Sequence, residues 1–329
     1  MTALGAAPSP LASDLEQLAA RHVPGSGPVK IDALGSGLVN SSYRVRRDGM
    51  LFSLRIAAPR AAQLGLDRDW ECRVLRCASA AGIAPRVERC EPAAGVLVTR
   101  WVEGRCWTAA EATSPEKLEI VARLARRVHA LPIPAEPRVL GPAQWIAFYR
   151  RSLAGGRGGE SPSRRRGAHE AGGALERSAQ TLLEALAQGP PPPALLCHSD
   201  LHVHNLVVTQ VAEPVLLDWE YAHVSEALWD LAGWSSNADL GTERRQLLLE
   251  SYLGREPAAA EAMRLEWLVW LYDYVCLLWS EIYLSPARAG AAEPGVPEVG
   301  AVDALADGVA IRAGRLTERL QRALGACRT

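Results

Sequence analysis

Cys197-His-Ser-Asp200-Leu-His-Val-His-Asn205-Leu206, followed after ten residues by Leu217-Asp218-Trp-Glu220-Tyr-Ala222, decides how the rest of this 329-residue chain is read. The apolar run Ala194–Cys197 leads into the first segment, and Pro214-Val-Leu-Leu217 leads into the second. Asp200 and Asp218 therefore stand just beyond the ends of two short strands. Asn205 lies five residues after Asp200, and Asp218 thirteen after Asn205. Two carboxylates and an amide at the ends of adjacent strands can converge on one point, and hard oxygen ligands of this kind suit Mg²⁺. Phosphoryl transfer needs such parts: oxygen ligands for metal, a base at the acceptor hydroxyl, and cations on the phosphates. On this division Asp200 takes the hydroxyl proton while Asn205 and Asp218 hold the metal.

Upstream, a loose leader precedes a helix over Leu11–His22, and strands are expected at Val29–Leu34, Ser41–Val45 and Leu51–Ile56. The last two flank Asp48-Gly49, a strong short hairpin signal. A helix over Asp67–Ala81 closes at Gly82, and two more strands follow at Pro85–Arg89 and Val96–Trp101. After Glu103-Gly104 the periodicity becomes helical, at Pro115–Ala130, at Pro142–Leu153 and again from Thr242 onward. Two segments read as surface loops: Ala154–Gly173, rich in Gly, Ser and Arg, and Ser285–Gly300, rich in Pro, Gly and Ala.

The two-part motif resembles the catalytic and metal motifs of the aminoglycoside phosphotransferase and choline kinase superfamily, and Asp-Trp-Glu-Tyr-Ala with Leu228-Trp-Asp230 leans toward the choline, ethanolamine and thiamine kinase branch. Leu34-Gly-Ser-Gly-Leu-Val-Asn-Ser-Ser-Tyr43 is similar to that branch's phosphate loop. The resemblance covers roughly residues 30–285 and implies an α+β, two-lobed protein-kinase-like fold. In it, residues 1–12 are a leader, 13–101 an antiparallel-sheet N-lobe and 102–329 a mainly helical C-lobe. It further implies that Gly35, Gly37 and Asn40 belong to the phosphate loop and that Arg55 grips ATP phosphates and pairs with Glu71. Trp101 and Val102 would belong to the hinge that meets adenine, and His198 would order the backbone around Asp200. Arg55 stands where protein kinases carry a lysine, and a guanidinium can hold phosphate in bidentate fashion.

The acceptor is read from the aromatics. Trp267, Trp270, Tyr272, Tyr274, Trp279 and Tyr283 crowd one helical stretch, whereas the whole chain has two Phe. Most belong to a core helix. An aromatic cage nevertheless binds a quaternary ammonium or thiazolium through cation–π attraction, which points to Trp267, Trp270 and Trp279, with charge from Glu220, Asp273 or Glu281. The expected partners are ATP, Mg²⁺ and a small cationic alcohol such as choline, ethanolamine or thiamine. Rival readings are an aminoglycoside or sugar kinase, whose pocket would be more acidic, and a catalytically silent nucleotide-binding module, which would have no need of all three of Asp200, Asn205 and Asp218. A protein kinase fits poorly, because no Asp-Phe-Gly or Ala-Pro-Glu segment is present. A net charge of −1 gives no footprint for nucleic acid or an anionic membrane. Seven scattered cysteines with no Cys-x-x-Cys pair read as buried reduced thiols, and His198, His202 and His204 belong to the catalytic loop rather than to a zinc site. Without a signal segment, the expected location is the cytoplasm.

Overall fold

The computed structural model describes residues 10–36, 39–57, 61, 64–155, 162–209, 214–284 and 299–326. Helix α1 (Pro10–His22) leads into β1 (Lys30–Ser36), β2 (Asn40–Arg47) and β3 (Met50–Ala57). The β2–β3 hairpin turns on Asp48-Gly49 with Arg47 opposite Met50. Asp48 at φ 48° and Gly49 at φ 75° supply the left-handed pair that a two-residue turn between twisted strands requires. The Asp48 carboxylate also accepts the amides of Ser26 (2.9 Å) and Gly27 (3.1 Å), which fixes the approach to β1.

Helix α2 (Arg68–Ala80) follows from local chemistry. Asp67 caps it by accepting the Trp70 amide, Asp69 and Glu71 complement the dipole of its first turn, and Trp70, Val74, Leu75 and Ala78 fall on one face. With β4 (Val87–Glu91) and β5 (Val96–Arg100) the N-terminal sheet is complete, in the antiparallel order β1-β2-β3-β5-β4. α1 covers one face of it, where Ala19 and Val23 meet Val45, Phe52, Leu54 and Val98. The apolar face of α2 joins the larger core of the helical part, and the Trp70 indole donates to Ala222 O at 2.7 Å. α2 thus bridges the lobes.

Beyond the short β6 (Arg105–Cys106) come α3 (Pro115–His129), α4 (Pro142–Gly155) and α5 (Pro162–Ala187). β7 (Ala194–Cys197), β8 (Leu206–Val208), β9 (Val215–Leu216) and β10 (His223–Glu226) form two small sheets, β10-β7 and β6-β8-β9. These sheets carry the decisive motif. Helices α6 (Leu228–Asn237), α7 (Thr242–Leu253), α8 (Ala259–Tyr283) and α9 (Val299–Ala326) complete the C-lobe. Among the described residues no helix is long and apolar enough to cross a membrane.

Four sequence expectations are corrected. Residues 10–12, assigned to the leader, begin α1, and residues 1–9 lie outside the described part. The loop expected over 154–173 is mostly helix: α4 runs on to Gly155 and α5 starts at Pro162, in the first turn where proline is tolerated. α5 is anchored by its far half, through Leu175, Ala179 and Leu186. The loop expected over 285–300 gives way at Val299 to α9; its residues 285–298 lie outside the described part. Finally, Cys72 and Cys90 form a disulfide across 18 residues, with Cα atoms 6.0 Å apart. No sequence spacing signals this pair, because packing α2 against β4 brings it together.

Candidate active site

The loop from β7 to β8 is held by buried polar contacts. His198 is fully buried; its Nε2 donates to Leu217 O (2.9 Å) and its Nδ1 accepts the Asp200 amide (3.3 Å). These bonds select the neutral Nε2–H tautomer, and burial holds the ring's pKa below the ordinary histidine value. His198 therefore ties the loop carrying Asp200 to the strand end that carries Asp218. Asp230, the third residue of α6, braces the same loop by accepting the His198 amide (2.9 Å) and the Ser199 amide (2.6 Å). His129 Nε2 completes that carboxylate's shell at 3.1 Å. His129, Cys197 and Asp230 come within metal-ligand reach of one another, but the Asp230 oxygens are already engaged by these donors.

Asn205 Nδ2 donates to both the carbonyl and the Oδ2 of Asp200, each at 3.0 Å. Burial acts to raise the Asp200 pKa, yet the nearby His202 ring, 3.4 Å from Oδ2, prevails and brings it down to about 2. Asp200 is thus a carboxylate at neutral pH, the form a proton acceptor needs.

Across the cleft runs a chain of ion pairs. Arg55, on β3, gives Nη1 to Asp218 Oδ1 at 2.8 Å and Nη2 to the Glu71 carboxylate of α2. Arg68 gives Nη1 to Glu71 (2.8 Å) and to Glu220 Oε2 (2.7 Å), and Nη2 to Asn40 Oδ1 (2.7 Å). Asn40 closes the ring by donating Nδ2 to Glu220 Oε2 at 2.7 Å. Burial works against ionising Glu71, but the two guanidiniums outweigh it and lower its pKa. Burial, aided by Asp218, pushes Glu220 up to about 7. Asp218 itself sits in the left-handed region at φ 55°, and burial raises its pKa against the pull of Arg55.

Two cavities meet at this chain. Arg55, Asn205 and Asp218 line both. The cavity of about 400 Å³ lies under the N-terminal sheet, bounded by Leu97, Thr99, Trp101, Val102, Leu217 and Glu71. Trp101 and Val102, expected from the sequence to be hinge residues, line this cavity; the Trp101 amide already bonds Leu51 O (3.1 Å). The other cavity, of about 270 Å³, opens on Asp200 and is walled by six aromatic side chains: Trp145, Tyr149, Tyr221, Trp229, Tyr272 and Trp279. The Trp279 indole is fixed by donating to Tyr221 Oη at 2.7 Å and by stacking on Tyr283. The Arg312 guanidinium of α9 enters the same cavity and donates to Asn237 Oδ1 at 2.9 Å.

The structure gathers Asp200, His198, Asn205, Asp218, Arg55 and Glu71 at one place. Of the three tryptophans read as acceptor contacts only Trp279 lines the cavity. On α8 the cavity face is Tyr272, Val275, Cys276 and Trp279, at helical spacing. At 100° per residue, Trp267 and Trp270 point well away from it and pack on the core. Asp273 is likewise off that face, buried and paired with Arg319 and Ser236, and Glu281 is exposed. Glu220 borders the cavity, but its carboxylate is engaged by Arg68 and Asn40. The Asn40 side chain is engaged in the same ring, Gly35 ends up inside β1, and Gly37 lies outside the described residues. Sequence reasoning missed Arg68, whose only signal is its position in the first turn of α2. It also missed Trp145 and Tyr149, one turn apart on α4, and Tyr221, some seventy residues further along the chain.

Comparison with known proteins gives the family and the fold. The pattern of the phosphotransferase enzyme family fits residues 30–265. No curated protein is significantly similar in sequence. Among solved structures, a choline/ethanolamine kinase family protein from Mesorhizobium loti is similar with TM-score 0.68 and 25% identity, over 96% of this chain and 98% of that one. The choline kinase LicA from Streptococcus pneumoniae is similar with TM-score 0.67 and 18% identity, over 92% and 99% of the two chains. A spectinomycin phosphotransferase, solved with ADP and its antibiotic, shares the fold with TM-score 0.60 and 12% identity, over 92% and 98%.

Proposed function

The chain belongs to the phosphotransferase enzyme family, and on that premise we propose that it is an ATP- and Mg²⁺-dependent kinase of a small cationic alcohol. The observation that carries the acceptor class is the aromatic wall leading to Asp200: six ring systems line a cavity of about 270 Å³. Ring faces attract a cation that has left water, and a desolvated contact contributes about 2 kcal/mol. Nucleotide belongs in the larger cavity, with adenine toward Trp101 and Val102 and phosphates toward Arg55. The oxygens of Asn205 and Asp218, at the junction of both cavities, suit Mg²⁺, which neutralises phosphate charge when bound. Asp200 accepts the proton of the acceptor hydroxyl. A polycationic antibiotic fits less well, because its several charges call for several carboxylates, whereas this cavity is walled mainly by aromatic rings and the Glu220 carboxylate is already engaged by Arg68 and Asn40.

The test is ADP release over a panel of choline, ethanolamine, thiamine, aminoglycosides and sugars, run on the parent and three variants. Asp200→Asn should keep ATP binding and lose kcat by ~10²–10⁴-fold. Trp279→Leu should raise KM for the cationic alcohol about tenfold, on the order of 1–2 kcal/mol, while Trp279→Phe keeps most of the affinity. A neutral isostere of the acceptor, used as well as the cation and indifferent to Trp279→Leu, would sink the acceptor assignment and favour a polyol.

A further inference from the structure

Ser199, between His198 and Asp200, is out of place by two independent physical criteria. Its backbone sits at φ 68°, the left-handed region that glycine enters freely and a side chain disfavours. Its hydroxyl is buried with no hydrogen-bond partner among the described residues, although the residue is only 7% exposed. Neither feature can relax through the main chain. The Ser199 amide donates to Asp230 Oδ1 at 2.6 Å, and its carbonyl accepts from Tyr272 Oη at 3.3 Å. Glycine here would relieve the backbone and remove the orphaned hydroxyl together, so a serine lowers stability twice over. Ser199 also lines the aromatic cavity beside Asp200. A single torsion, χ1, decides which way its hydroxyl points.

We propose that the Ser199 hydroxyl binds the acceptor alcohol and orients its oxygen for attack. This rests on the reading of the aromatic cavity as the acceptor site. An alcohol oxygen has one hydrogen and two lone pairs. The hydrogen goes to the Asp200 carboxylate, one lone pair forms the new bond to phosphorus as the bond to the ADP oxygen breaks, and the other lone pair accepts from Ser199 Oγ–H. The acceptor oxygen is then held from two sides, and rotation about its C–O bond is fixed. The left-handed backbone holds Ser199 between His198 and Asp200 at the cavity wall, and rotation about χ1 would turn its buried hydroxyl toward the acceptor.

The experiment compares the parent with Ser199→Gly and Ser199→Ala, using whichever alcohol the panel shows to be the parent's best acceptor. Ser199→Gly should melt a few degrees higher than the parent, yet its kcat/KM for the acceptor should fall at least tenfold, with KM for MgATP within twofold. Ser199→Ala should lose a similar factor in kcat/KM without the full gain in melting temperature. Stabilisation with unchanged acceptor kinetics would overturn the proposal, and so would a Ser199→Gly protein that is both less stable and less active, since its hydroxyl would then be structural. A neutral or acidic best acceptor would refute the cationic-alcohol reading and leave the Ser199 comparison to be judged on that acceptor.

Discussion

His223 has both ring nitrogens engaged inside the acceptor wall: Nδ1 donates to Tyr221 O at 2.8 Å, and Nε2 accepts from the Trp145 indole at 3.4 Å. Protonation would put a hydrogen on Nε2 facing the indole N–H and a charge where the ring is fully buried. Burial, seconded by Arg138, accordingly brings its pKa down to about 4. With the folded value depressed below the unfolded one, the stabilisation is complete above about pH 6.5 and is lost as pH falls toward about 4. Its full extent is on the order of 3 kcal/mol. Denaturant unfolding at intervals between pH 7.5 and 4.5 should show this loss, and His223→Gln should flatten it; identical slopes for the two proteins would refute it. At this scale the sequence was most legible where chemistry is packed into a short stretch. Asp200, Asn205 and Asp218 announce themselves by type and spacing. Ser199 does not, because its meaning lies in a backbone angle and a missing partner.

Helix α8 shows what periodicity can and cannot convey. Its aromatic content marked it as part of the acceptor site, but with apolar residues on every face, as in a buried helix, nothing in the pattern chose Trp279 over Trp267 and Trp270. The choice is made by neighbours, one of which is α9. Arg319 of α9 pairs with the buried Asp273 and donates to Ser236 Oγ at 3.0 Å, while Leu316 and Leu320 are buried in the same core. Arg319→Met should destabilise the protein by about 3–5 kcal/mol, because it leaves Asp273 as an unpaired buried charge. Adding Asp273→Asn should recover much of that loss. Urea unfolding of the single and double variants checks both, and a single-variant loss below about 1 kcal/mol would show that the pair is not needed. α5 was partly hidden because its first turns carry loop-like composition and its helical character comes from a far half that packs, whereas α9 was misread only at its first two residues.

At the scale of the molecule, the two-part architecture was legible because strand alternation gives way to helical spacing near Gly104, and the Asp-Gly hairpin fixed the register of the N-terminal sheet. That α2 packs into the core of the other lobe was not, since an amphipathic helix does not say which partner its face will meet. Nor did the sequence show that Arg68 and Asn40 reach 152 and 180 residues ahead to grip the same Glu220 oxygen. The ring around the cleft has two unlike sides. The link between Arg55 and Asp218 joins the two groups that nucleotide and metal would claim, so it must open whenever the site is filled. The grip of Arg68 and Asn40 on Glu220 leaves out Arg55, Asp200, Asn205 and Asp218 and can persist through turnover. In mechanical terms the cleft is a door with one bolt that slides on every cycle and one post that never leaves the frame. Arg68→Gln loosens the post. The nucleotide-free protein should then give a larger radius of gyration by small-angle X-ray scattering, which MgATP reverses. If the closed population drops to about a tenth, apparent affinity for MgATP falls about tenfold. An unchanged radius and affinity would mean that Trp70 and the core beneath it hold the frame unaided, and that the ions only keep the door from swinging while it is empty.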